Sequence, residues 1–111
     1  MPDFTTPRTP LLLTIEEWMN RETAWVVFEP NNQNTWTRVR TQVENYLTQR
    51  WREGALMGRK TSEAFFVRVG LGQTMTQLDI LDGRLIVEMG VAVVRPAEFV
   101  LLRITHKIAI S

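Results

Sequence analysis

His106 is the sole histidine in a chain of 111 residues that has no cysteine, so any imidazole chemistry must run through it. It stands on the apolar face of the closing run of residues, between Ile104 and Ile108. A Ser/His/Asp arrangement would have only Ser62 and Ser111 as nucleophiles, and neither sits in a nucleophile-elbow context. Glu16 and Glu17 are adjacent, and neighbouring helix positions point about 100° apart, so their carboxylates do not converge. Asp79 and Asp82 have no third ligand in the surrounding sequence and read as a solvated loop. Gly70, Gly72, Gly83 and Gly90 form neither a dinucleotide fingerprint nor a phosphate loop; they read as turns and as a strand position where backbones approach closely. The expectation is a non-enzymatic protein without cofactor or metal.

Basic residues Arg38, Arg40, Arg50, Arg52, Arg59 and Lys60 gather with Trp36, Tyr46 and Trp51, and this mixture suggests nucleic acid. The aromatics, however, fall on an apolar helical stripe, and Glu44 and Glu53 dilute the charge. A solvated helix face meeting another protein is therefore preferred, and a small nucleic-acid module using the basic face of helix 35–53 is the alternative. Thirteen basic and twelve acidic side chains leave a formal charge of +1, which favours neither nucleic acid nor a membrane surface. The opening residues lack an apolar signal core, and no apolar run approaches the ~20 residues of a membrane span. A cytoplasmic protein with no membrane partner is expected, unless it leaves as part of a particle.

The elements that position these residues follow from periodicity. Pro2, Pro7 and Pro10 mark residues 1–10 as an irregular arm. Leu12, Ile15, Trp18 and Met19 predict a short helix over Leu11 to Arg21. Trp25, Val26, Val27 and Phe28, bulky on both faces, predict a central strand. A long helix is expected from Thr35 to Glu53, capped by Asn34 and ended by Gly54, with Trp36, Val39, Val43, Tyr46, Leu47 and Trp51 as its stripe. Ala64 to Val69 predicts a further strand, and Gln73 to Asp82 one helical turn.

Two long strand-like runs close the chain. Leu85, Val87, Met89, Val91 and Val93 alternate up to Val94, and Val100, Leu102, Ile104, Ile108 and Ile110 alternate after a hinge at Arg95, Pro96, Ala97 and Glu98. A terminal run of about twelve residues exceeds the usual strand length. It is expected to overhang and to need a partner for its backbone groups. The fold class is α+β: a single domain over residues 11–98 with a mixed sheet, two main helices and a long C-terminal strand or linking arm over residues 99–111.

Ordered blocks along the chain carry a resemblance. They are Thr23-Ala24-Trp25-Val26-Val27-Phe28-Glu29-Pro30-Asn31, then Trp36 with Arg40 and Val43, and Gly54-Ala55-Leu56 with Gly58. Glu63-Ala64-Phe65-Phe66-Val67, Asp82-Gly83-Arg84, Val87-Glu88 with Gly90-Val91-Ala92, and Val94-Arg95-Pro96-Ala97-Glu98-Phe99-Val100 complete the set. From about Leu11 to Ile108 the chain resembles the C-terminal domain of contractile tail sheath proteins of phages and phage-tail-like injection systems. The resemblance implies a structural protein that joins other sheath subunits, as a homo-oligomer or otherwise, around an inner tube. It also implies linkage by strand addition, with Arg95, Pro96, Glu98, Phe99, Val100, Leu102, Ile104 and Ile108 as the subunit-linking arm. Arg38 and Arg52 are the candidate tube-facing residues. Family members are several times longer, with an amino-terminal arm and outer domains ahead of this unit. An isolated sheath domain, a fragment and a small sheath-related component at one end of a tail all fit the sequence.

Overall fold

The computed structural model describes residues 9–109. The expected amino-terminal arm over residues 1–10 lies outside them except for Thr9 and Pro10, as do Ile110 and Ser111. Helix α1, Pro10–Glu22, starts where Thr9 Oγ1 accepts the Leu12 amide at 3.2 Å and Pro10 supplies a preset φ. Leu12, Ile15 and Met19 bury one stripe of it, as their spacing requires.

The segment expected as a central strand is instead a 3₁₀ helix, Ala24–Phe28. Its backbone is satisfied locally, Val26 N–H donating to Thr23 O and Glu29 N–H to Val26 O, and only Val26 is buried. Trp25 turns outward to donate from Nε1 to Gln42 Oε1 at 2.8 Å. Wedged between the end of α1 and Pro30, these β-prone residues follow tertiary context over propensity.

Helix α2, Gln33–Arg52, is capped by Asn32 and not by Asn34. Asn32 Oδ1 accepts the Thr35 amide at 3.2 Å. Its neighbour Asn31 is buried, accepting from Trp36 Nε1 at 2.7 Å and donating to the Arg84 carbonyl at 2.9 Å, which ties the helix start to the sheet. Trp36, Val39, Val43 and Leu47 are the buried stripe, and Gly54, with φ of 83°, ends the run.

A single turn, α3 at Thr61–Ala64, leads into β1, Phe65–Arg68. The expected turn of helix before Gly83 is α4, Gln77–Leu81, fixed by a capping box between Thr76 and Asp79. Then come β2, Arg84–Val91, and β3, Val100–Lys107.

The α+β class stands, but the sheet is antiparallel throughout the described residues and not mixed. Its order is β1-β2-β3. With Ala24–Phe28 coiled out of the sheet, the connection between β2 and β3 is too short for the crossover that parallel neighbours need. The terminal strand also stops earlier than its alternation suggests. β3 pairs with β2 along its whole length, from Val100 against Val91 to Lys107 against Arg84, so no overhang is seen among the described residues.

β2 is central, and its alternation understates its burial. Leu85, Val87, Met89 and Val91 join one core with the buried residues of α1 and α2, while Ile86 and Gly90 on the opposite face are buried as well. Gly90 is covered by the Phe66 ring: a Cβ built at this position lies 2.1 Å from Phe66 Cε2. Gly90→Ala should therefore lower stability by about 1–3 kcal/mol, the usual range for overpacking. The urea midpoint, with Phe66→Leu combined as a relieving change, measures it.

Candidate functional site: the outer strand and its turn

The sequence-derived arm residues lie together on one connected piece of backbone. Val94 to Glu98 form an exposed turn. Arg95 and Glu98 pair at 3.8 Å with both side chains mostly in water, a contact worth little. The turn is held by its backbone, Ala97 N–H donating to Glu63 O at 2.7 Å. Ala97 has φ of 61°, a left-handed conformation that costs a residue with a Cβ roughly 1–2 kcal/mol. Phe99 then docks edge-on against Phe66, ring centroids 5.1 Å apart. Leu102, Ile104 and Ile108 are buried in the core, and Val100 packs at its margin. The arm is thus built into its own sheet.

The outward edge of β3 can be read from hydrogen bonds around β2. The carbonyls of Arg84 and Ile86 accept from Asn31 and from the Thr74 hydroxyl, so even-numbered β2 residues direct their backbone away from β3. Odd-numbered ones direct theirs toward it, and register then assigns the inward backbone groups to Val100, Leu102, Ile104 and His106. Ile108 N–H donating to Gly83 O continues that pattern. Leu101, Arg103, Thr105 and Lys107 consequently direct N–H and C=O outward. Ala109, next in that series, donates outward to Val27 O. Among the described residues no backbone group bonds to the four preceding outward positions. The opposite edge is shorter, since β1 has four residues and Phe65 N–H is already taken by Thr61 O.

Electrostatics on the outer face of the sheet are fixed by a triad that sequence alone did not reveal. Glu88, whose side chain is only 15% exposed, lies 3.1 Å from Arg103 on β3 and 3.6 Å from Arg68 on β1. Arg68 also stacks over Phe66, 4.6 Å from the ring centroid. The signal was present in the alternation of Glu88, but the partners depend on register.

Arg38 and Arg52 are not brought together. They are fourteen positions apart on α2, about 21 Å along its axis. Arg38 bonds Glu29 at 2.8 Å and covers the Trp25 ring at 4.4 Å, whereas Arg52 is exposed with no ion-pair partner among the described residues. The rest of the basic face is largely spent: Arg40 pairs with Glu44 and Arg50 with Glu53. Its aromatics are engaged too. Trp36 is buried on Asn31, Tyr46 stacks on Trp18 at 3.9 Å, and Trp51 donates to Gly58 O. Among the described residues these aromatics leave no row of free rings along α2 for bases to stack on.

The remaining chemical candidates separate in space. His106 faces Thr23 at 2.8 Å, near the end of β3, while Ser62 belongs to α3 beside the start of β1. The Thr23 hydroxyl donates to Met19 O and hence accepts from His106 Nε2–H, which fixes the tautomer. Asp79 and Asp82 share the Arg84 guanidinium at 2.9 and 3.1 Å. The Thr76 backbone amide and Arg84 hold the Asp79 carboxyl below its ordinary range. Among the described residues there is no His, Cys, Asp and Glu grouping fit to hold a metal ion, and no helix is long and apolar enough to cross a membrane.

Comparison with known proteins gives a family model and similar solved structures. The family model of the phage tail sheath C-terminal domain matches residues 5–107. A chain in a cryo-EM structure of the anti-feeding prophage baseplate, 6-fold symmetrised, is 49% identical over 86% of this chain and 27% of that one, with a TM-score of 0.73. A chain of the PVC sheath complex in its contracted state, from an extracellular contractile injection system, is 48% identical over 83% and 26%, with a TM-score of 0.72. A third, in the anti-feeding prophage baseplate in its contracted state, is 32% identical over 89% and 28%, with a TM-score of 0.72. The present chain thus spans about a quarter of the length of each. No curated protein matches it.

Burial lowers the His106 pKa below its ordinary value of 6.5, so the folded chain holds the imidazole neutral. The unfolded chain takes up the proton first as pH falls. His106 therefore contributes stability that is complete above pH 6.5 and is lost as pH drops through the lowered folded value. Urea midpoints recorded from neutral pH to below 6 should fall for the native chain, and His106→Gln should remove that part of the slope.

Proposed function

Because this chain belongs to the phage tail sheath C-terminal domain family, we propose that it is a non-enzymatic assembly domain of a contractile injection particle, joined to neighbouring sheath subunits by strand addition along the outer edge of β3. The observation that carries this reading is the run of outward backbone groups at Leu101, Arg103, Thr105 and Lys107, for which no partner is present among the described residues. An unpaired edge of this kind is a template for another strand, and the bonds it offers are independent of the incoming sequence. The turn from Arg95 to Glu98 sets the direction of the edge, Leu102, Ile104 and Ile108 anchor it in the core with Val100 at the margin, and Phe99 fastens it to Phe66 on the far face. The linking segment thus works from its place in the sheet, presenting its far side to a neighbour.

In such a particle the subunits would surround an inner tube, having assembled in the cytoplasm. Arg52 is the better tube-facing candidate of the two sequence-derived arginines, because its charge has no ion-pair partner among the described residues. Arg38 already serves Glu29 and Trp25. Backbone bonding along β3 would keep subunits connected while their bodies rotate and slide during contraction.

Thr105→Pro is the direct test. It removes one outward N–H and leaves the β2 ladder intact, a position in which proline is tolerated. The variant should keep the native circular dichroism spectrum and a urea midpoint close to that of the parent, while losing association in size-exclusion light scattering. Undiminished assembly by a folded Thr105→Pro chain would rule out strand addition on this edge. Deleting residues 99–111 is a poor substitute, since it also strips Leu102, Ile104 and Ile108 from the core.

A further inference from the structure

Asp82-Gly83 is the only Asp–Gly pair in the chain, and no Asn–Gly pair accompanies it. In such a pair the side-chain carboxyl is one ring closure away from the next backbone nitrogen, and Gly brings no Cβ to obstruct the approach. The fold requires Gly here. Gly83 has φ of 76°, a left-handed conformation, and a Cβ built on it would lie 3.0 Å from Ile108 O. Asp82 is committed as well, its carboxylate meeting the Arg84 guanidinium at 3.1 Å while the side chain stays 46% exposed. Turn geometry thus places a reactive pair at the entry to β2, in a segment that strand addition on β3 does not use.

We propose that Asp82-Gly83 is a covalent self-modification site, which converts to an isoaspartyl linkage when the end of β3 releases it and stays closed while β3 is docked. In the reaction Gly83 N forms a bond to Asp82 Cγ, and a carboxyl oxygen leaves as water with the amide hydrogen and a proton from solvent. Water then cleaves the bond between Gly83 N and the Asp82 main-chain carbonyl carbon, returning that proton. The chain now continues through Cγ, its composition unchanged and its backbone longer by one methylene. Three features of the folded turn oppose the first step. The five ring atoms must lie nearly in one plane, so that Gly83 N eclipses Asp82 Cβ, yet at ψ of 0° it eclipses the Asp82 amide nitrogen. Gly83 N–H is already donated to Ile80 O at 3.1 Å. Turning the peptide also breaks the 2.6 Å bond from Ile108 N–H to Gly83 O and the bond from Lys107 Nζ to Asp82 O, and ring closure takes the carboxylate from Arg84. Lys107 ends β3 and Ile108 follows it, so local opening of that end unlocks the turn. The extra methylene would shift the Arg84 side chain from Asp79 and its carbonyl from Asn31, loosening the tie between β2 and α2.

Prolonged incubation of the full chain near neutral pH, followed by mass spectrometry of the peptide carrying residue 82, reads the site. The chain unfolded in guanidinium chloride should accumulate isoaspartate there at least about tenfold faster than the folded chain, because reaction through local opening scales with the open fraction. Arg84→Gln should raise the folded-state rate about threefold, the order of an ion pair at a partly exposed site. Lys107→Ala, an exposed change, should raise it too and tests the hold of β3 even where Arg84→Gln does not fold. Asp82→Glu, which cannot close a five-membered ring, should abolish the signal. A lack of isoaspartate in the unfolded chain would overturn the site, and equal rates in folded and unfolded chains would overturn its closure. An unchanged rate in folded Lys107→Ala would overturn gating by β3. None of these rates depends on association, so light scattering judges the assembly reading separately.

Discussion

The fold depends on β2 being enclosed on both edges and both faces. Its partners are β1 on one side and β3 on the other. Leu85, Val87, Met89 and Val91 join the core shared with α1 and α2, while Phe66 closes over Gly90 on the far face. Full burial of a side chain of this size contributes about 1.5–3 kcal/mol, so the face formed by these four is a principal source of stability. Asn31 connects the same strand to the start of α2 through the Arg84 carbonyl. A chain of this length can bury one core, and β2 runs through the middle of it.

Enclosing β2 in this way leaves β3 with unequal edges. Its inward bonds and its buried Leu102 and Ile104 commit it to the domain, while the outward row at Leu101, Arg103, Thr105 and Lys107 has no backbone partner among the described residues. Anchoring and presentation come from the same strand because the backbone alternates direction at each residue. Across the outer face the Arg68, Glu88 and Arg103 triad spans all three strands, a cross-strand charge pairing that follows from their register.

Much of this was legible from residue periodicity. The apolar stripes of α1 and α2 repeat at helical spacing, and the alternation from Val100 to Ile104 marked the buried side of β3 correctly. The 3₁₀ helix at Ala24–Phe28 was hidden because Trp, Val, Val and Phe favour strands, while local bonds and the distant Ala109 amide on Val27 O, which no propensity registers, hold their backbone. The choice of Asn32 over Asn34 as cap depended on Asn31 reaching a distant strand. Among the described residues the overhang expected of the C-terminal run is absent, since its partner, β2, is of equal length, which alternation within one strand does not disclose. Cross-strand register likewise decided the partners of Glu88. For the candidate site, the residues expected to form the arm lie on one turn and strand, but the direction of their backbone groups emerged only from the hydrogen bonds of β2.

Amide hydrogen exchange, residue by residue along β3 in dilute monomer, is the most direct measurement of whether one edge is committed and the other open. Slow exchange at Leu102, Ile104 and His106 alternating with fast exchange at Leu101, Arg103 and Thr105 is the expected result, with the fast set becoming protected on assembly. Uniformly fast exchange along β3 would contradict the docking of this strand on β2, and uniformly slow exchange in the monomer would contradict the open edge.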